Sequence, residues 1–204
     1  MAYPTVDGPY GFKPINLIGG QVFAGATRQI PIASGSGTSI FYGDVVRLNT
    51  GGTLSRVSTT DSATDAVGIF LGCAFTNPTT KQFLQQQYFP GGTAASDIVA
   101  YVCDDPDTLF KAAVLSSSTA IGGLTQTDVG NNVAIFTTAG SATTGDSNEG
   151  VRNATSDSTT TLPFRIIAGV PETVNASGSF TEVIVKFNFG VHTYYSATPV
   201  SVAA

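Results

Sequence analysis

From Val183 to Val191 every second residue is large and apolar (Val183, Val185, Phe187, Phe189, Val191), and the residues between them are Ile184, Lys186, Asn188 and Gly190. A period of two places the first set on one face of a pleated strand. The pattern predicts a strand through Val191, with His192 at its end. The same texture recurs in Gly43–Leu48, Ala66–Leu71, Ile98–Cys103 and Pro163–Val170, each short and rich in β-branched or aromatic residues. Asn49-Thr50-Gly51-Gly52, Pro90-Gly91-Gly92, Gly122-Gly123 and Gly130-Asn131-Asn132 punctuate these runs at intervals suited to short antiparallel strands. β-Branched residues, Gly and Ser outnumber Glu, Lys, Arg and Met, which starves helices. Only 80–89 reads as a helical turn or two, or equally as a surface loop. The expected fold is therefore all-β, an antiparallel β-barrel or sandwich of many short strands. A chain of 204 residues fits one such unit, here taken as 21–195 with a tail at 196–204.

Two segments depart from that texture. Residues 1–20 carry Pro4, Pro9 and Pro14 among Tyr3, Tyr10, Phe12, Ile15, Leu17 and Ile18. Proline at this density blocks helix and disfavours central strand positions, so an extended apolar arm is expected. Such an arm either lies across its own barrel or docks on a neighbour. The second segment, 137–161, is rich in Ser, Thr, Gly and Asn, with Val151 its one large apolar side chain. It reads as an exposed loop or hairpin with little share in the core.

Charge narrows the function classes. Only 11% of residues are charged, against about a quarter in a typical soluble domain, and the net charge is −5. Binding a nucleic acid by phosphate neutralisation needs clustered Lys and Arg, and the nine here are scattered. No nucleic-acid partner is expected. The longest apolar stretch, around Val67–Phe75, is far below the roughly 20 residues that cross a bilayer, so no membrane partner is expected either. The first ten residues lack a basic region followed by an apolar one, which points to synthesis and use in a cytoplasm. Cys73 and Cys103 then read as two buried free thiols, because neither sits in a Cys-x-x-Cys motif or beside a His or Lys.

The search for chemistry returns little. His192 is the sole histidine and reads as a packed or edge imidazole more readily than as a general base. Asp104, Asp105 and Asp107 could supply part of a Ca²⁺ site. The stronger reading is a turn, Asp followed by Pro106, joining 98–104 to 109–115 as a hairpin. No phosphate-binding loop, zinc spacing or metalloprotease helix is present in the sequence. The expectation is a protein with no catalytic residues, metal or cofactor.

Five runs, taken in order, carry a resemblance. Gly43-Asp44-Val45-Val46, Val67–Gly72, Ala100–Asp107, Leu162–Ile167 and Thr181–Asn188 resemble the capsid decoration, or cement, proteins of tailed bacteriophages, including those of marine phages and cyanophages. The likeness spans about 40–195. It implies an all-β virion protein, made in the host cytoplasm, that sits as a homotrimer on the outer face of the head. Its partner would be the major capsid protein, whose subunits it clamps without enzymatic activity. On that reading Tyr3, Tyr10, Phe12 and Ile15 of the arm are the candidate contacts to coat or sister subunits. Other readings are a head fibre or host-binding module, a small β-sandwich hydrolase using His192, and a carbohydrate-binding module. The last is weakened by the absence of tryptophan but kept open by seven tyrosines.

Overall fold

The structure is a computed structural model that describes residues 6–58 and 66–196. Tyr3, one of the four candidate contacts, and nearly all of the 196–204 tail lie outside the described residues. Among the described residues thirteen strands follow in chain order: β1 Lys13–Leu17, β2 Arg28–Pro31, β3 Val45–Leu48, β4 Leu54–Arg56, β5 Ala66–Thr76, β6 Phe83–Gln86 and β7 Val99–Cys103, then β8 Thr108–Leu115, β9 Asn132–Val133, β10 Ile135–Phe136, β11 Gly150–Arg152, β12 Phe164–Gly169 and β13 Glu182–Phe187. Among the described residues the only helical pieces are three single 3-10 turns, at Gln126–Asp128, Asn153–Thr155 and Pro171–Thr173. The fold is all-β.

The strands form two sheets. The first runs β2-β7-β5-β3-β4, with β6 also on β5. A parallel bridge from Ile32 to Leu54 brings its far end back to its start, so the sheet curls into a nearly closed barrel. Closure hides backbone edges that would otherwise pair with other chains. Ile30, Ile32, Val46, Leu54, Val67, Phe70, Ala100 and Val102 fill the interior. The second sheet runs β10-β11-β8-β13-β12-β9, with β1 also on β8. Its inner residues, among them Phe110, Val114, Phe164, Val183, Val185 and Phe187, pack on barrel residues Val45, Ala66, Ile69 and Cys103. Three rings organise this second core. Phe12 stacks on Phe164 at 4.5 Å and Phe164 on Phe187 at 4.6 Å between centroids, arrangements that add to simple area burial.

β5 serves both cores. An unbroken strand sends alternate residues to opposite faces, yet Val67 points into the barrel and Ile69 into the core between the sheets. Register shifts against β3, opposite Val67, and against β7, at Leu71, reverse the facing twice. Each extra residue is a β-bulge. Gly68 is required at the crossing, because a Cβ there would lie 2.3 Å from the Cys103 carbonyl oxygen.

Four expectations need correction. The acidic turn exists, with Thr108 N–H donating to Asp105 O at 3.1 Å, but β7 and β8 enter different sheets and form no hairpin. The turn is the crossover between the two layers. β13 stops at Phe187, because Asn188 donates through Nδ2 to the carbonyls of Thr160 and Leu162 and Gly190 turns the chain at φ +86°. Residues 137–161 do begin as the loop of a hairpin, β10 antiparallel to β11, and 157–161 is exposed, but the segment has more than a small share in the core, since Ser147, Glu149 and Val151 are completely buried and β11 pairs in parallel with β8. Finally, 83–86 is strand β6, antiparallel to β5.

Candidate functional site

The described part of the arm lies on its own sheet. Lys13–Leu17 pairs antiparallel with β8, and Gly11 and Phe12 donate their N–H groups to Glu149 O and Gly43 O. The Phe12 ring is fully buried against Phe164, so its side chain is committed to this chain's core. Tyr10 is half-buried, its hydroxyl donating to Glu182 Oε1. Burial, reinforced by that carboxylate, pushes the phenol above its usual range. Lys111 Nζ meets the same carboxylate at 3.1 Å. Ile15 is the extra residue of a bulge between Pro14 and Asn16 and is partly exposed. Of the candidates, Tyr10 and Ile15 still offer surface to a partner.

The most heavily built polar constellation is one the sequence did not single out. Arg56 lies between Asp44 and Glu149, with Nε 3.1 Å from Asp44 Oδ2 and Nη2 2.9 Å from Glu149 Oε1. Both carboxylates are completely buried. Asp44 Oδ2 also accepts the Phe41 N–H at 2.8 Å, and Glu149 Oε2 accepts the Val45 N–H at 2.8 Å. Arg56 Nη2 donates onward to Thr138 O. One guanidinium faces two acids. Burial pushes the Asp44 carboxyl up despite Arg56, and burial together with the Asp44 charge pushes Glu149 well above the ordinary carboxylate range. What the arrangement does is join barrel strands β3 and β4 to the polar segment before β11. Asp44 opened one of the strand-like runs, but its partners stand in unrelated stretches of sequence.

Asp104, Asp105 and Asp107 turn to separate partners. Asp104 meets Arg28 Nε at 2.6 Å and the Tyr194 hydroxyl at 2.6 Å, Asp105 accepts the Asp107 N–H, and Asp107 pairs with Lys186 at 2.9 Å. Among the described residues no group of three or more His, Cys, Asp or Glu is arranged to hold a metal ion. His192 lies beyond β13 in a turn bridged to Ala66, with its ring 5.2 Å from Phe187 and edge-on to it. Its Nδ1 accepts the Tyr194 N–H at 3.2 Å. The imidazole is fully buried, and burial lowers its pKa, partly offset by the Val67 backbone and the Asp104 charge.

Two exposed apolar side chains sit just past the ends of β1 and β13 in the second sheet. Ile18 is 52% and Phe189 77% exposed, and both border a hollow of about 180 Å³ with Arg165, Ile167 and Lys186. Phe189 leans on Tyr195, itself exposed, at 5.2 Å between ring centroids. The sequence marks Ile18 as apolar, but Phe189 stood inside an alternation that predicted burial.

Among the described residues no helix is long and apolar enough to cross a membrane. Comparison of the chain with models of protein families, with curated proteins and with solved structures gives no match.

Proposed function

We propose that this chain is a non-enzymatic structural protein of a phage virion. It decorates the outer surface of the head, bridges major capsid protein subunits and assembles as a homotrimer, with no cofactor. The observation that carries the reading is the exposed apolar pair Ile18 and Phe189. Two large side chains stand in water beside a hollow, on a chain with few charges to keep such a face apart from others. Covering an exposed Phe or Ile is worth about 1.5–3 kcal/mol per side chain. Repeated contacts from one trimer add avidity, because each later contact is effectively intramolecular. A surface of Ser, Thr and Gly also packs against a partner without stranding buried ions. The five-run resemblance supplies the choice of a phage head as the partner.

The test is to mix purified protein with undecorated heads and image them. Ordered density on the outer surface at threefold positions is expected for the wild type, and its loss in Ile18→Asp/Phe189→Asp. Heads that stay bare beside folded wild-type protein overturn the proposal. A host-binding module is the second reading, favoured by a groove of about 560 Å³ beside β6 that Tyr42, Gln85, Gln86, Gln87 and Tyr101 line without a charged side chain. Labelled protein that coats cells and ignores heads would select it.

A further inference from the structure

A groove of about 560 Å³ opens where β5 changes neighbours. β3 pairs with β5 as far as Ile69, and β6 takes over at Cys73. Between them stand the bulge residue Leu71 and Gly72, whose φ is +143°. Strands that part around a bulge leave a concavity, and glycine leaves its floor without a side chain. The space is already close, since a Cβ on Gly72 would lie 3.0 Å from the Gln86 carbonyl oxygen. Tyr101, paired with Gly72 across the sheet, reaches over to Gln85, whose Nε2 stands 3.5 Å from its hydroxyl. Tyr42, Gln86 and Gln87 complete the walls.

We propose that this groove binds a neutral saccharide. Its lining carries no formal charge, because burial raises the Cys73 thiol to about 12 and the other polar groups are amides and phenols. At the Tyr42 end Lys13 and Asp146 neutralise each other at 3.0 Å, with the ammonium 3.9 Å from the Tyr42 ring centroid. A phosphate or sulfate ester finds no free cation in the lining, and a purely apolar ligand would lie against the exposed amides of Gln85 and Gln87, the second of which also donates to Asp146 Oδ1 at 3.0 Å. A sugar presents both kinds of surface, hydroxyls that exchange hydrogen bonds with amides and a C–H face that lies on a tyrosine ring. One contact leaves room for that exchange, since Gln85 Nε2 stands 3.5 Å from the Tyr101 hydroxyl, a long hydrogen bond. A peptide is the poorer fit, since strand addition uses a row of free backbone groups whereas this groove presents side-chain amides.

Saccharide binding is separate from attachment to heads. Saturation-transfer NMR with maltohexaose, cellohexaose and chitohexaose at millimolar concentration is the direct test, with heparin as the polyanionic control. Transfer to at least one neutral oligosaccharide and none to heparin is expected. Gln85→Ala/Gln87→Ala, exposed substitutions that spare the core, should weaken binding by about tenfold or more, and Phe83→Ala outside the groove should not. The same double variant should still decorate heads if the wild type does, so the two proposals fail independently. Absence of transfer to all three sugars, preference for heparin, or binding that survives the double substitution overturns the inference.

Discussion

Arg56 meets Glu149 through two nitrogens on one oxygen, with Nη2 2.9 Å and Nε 3.1 Å from Oε1, in a site where the carboxylate has no exposure at all. Asp44 approaches the same guanidinium from the barrel. The three side chains therefore hold the sheet junction as a unit.

Removing the guanidinium leaves two buried acids facing each other. Arg56→Met should destabilise the protein by about 3–5 kcal/mol, the usual result of stripping one partner from a buried pair. Glu149→Gln keeps the shape and most hydrogen bonds and should cost about 1–3 kcal/mol. Urea unfolding of both variants beside the wild type measures the order. Equal losses would show that Arg56 is not the keystone of the group.

The same acids set a pH dependence. Asp44 and Glu149 are raised in the folded state, so the native chain holds more protons than the unfolded chain above the ordinary carboxylate range of about 4. Their contribution is complete below that range and is lost as pH rises through the raised folded values. His192, lowered by burial, acts oppositely, with stability falling as pH drops below about 6.5. Asp97 and Asp157 are lowered by hydrogen bonds from Thr76 and Ser158, so their contribution is lost only as pH falls below about 4. Comparing Glu149→Gln with the wild type from pH 5 to pH 9 by urea unfolding isolates the first effect. The difference in stability should move in favour of the variant as pH rises, and a constant difference would contradict the shift.

Phe12 and Tyr10, two residues apart, should behave differently. Phe12→Ala empties a site between Phe164 and the barrel and should cost about 3–5 kcal/mol. Tyr10→Phe removes one hydrogen bond to Glu182, which retains Lys111, and should cost about 1 kcal/mol. Thermal unfolding read by circular dichroism separates the two. If Phe12→Ala is as stable as the wild type, its ring is not part of the core.

The cysteines should be silent in the folded protein. Both are buried and free, in different cores, and burial pushes Cys73 up to about 12 and Cys103 up to about 11. Iodoacetamide at pH 8 should modify the native chain on the order of a hundredfold more slowly than the chain in urea, because the thiolate is the reacting species. Mass spectrometry of timed samples reads the ratio.

What the sequence made legible depended on whether burial followed polarity. Val183, Val185 and Phe187 face one core and read as a strand, whereas Phe189 continues the pattern only in sequence, because Asn188 has already left the ladder to bind two carbonyls. β5 shows no alternation since it feeds two cores, and its bulges were hidden within one apolar run. Ser147 and Glu149 were beyond reach, as a polar stretch signals exposure unless its partner is known, and Arg56 is 93 residues away. Phe12 was recognised as an anchor, but the chain it anchors is its own.

β8 takes its neighbours from strands far apart in the sequence, β1 on one flank and β13 on the other. A ribosome delivers β1 through β7 long before β13, so the barrel can close while its outer residues Val45, Ile69 and Cys103 still await their cover. Until β12 and β13 emerge, the nascent chain exposes an apolar flank to its neighbours on the polysome. A ribosome stalled ahead of Glu182 would therefore hold a chain whose second core lacks β13 and which is prone to aggregate.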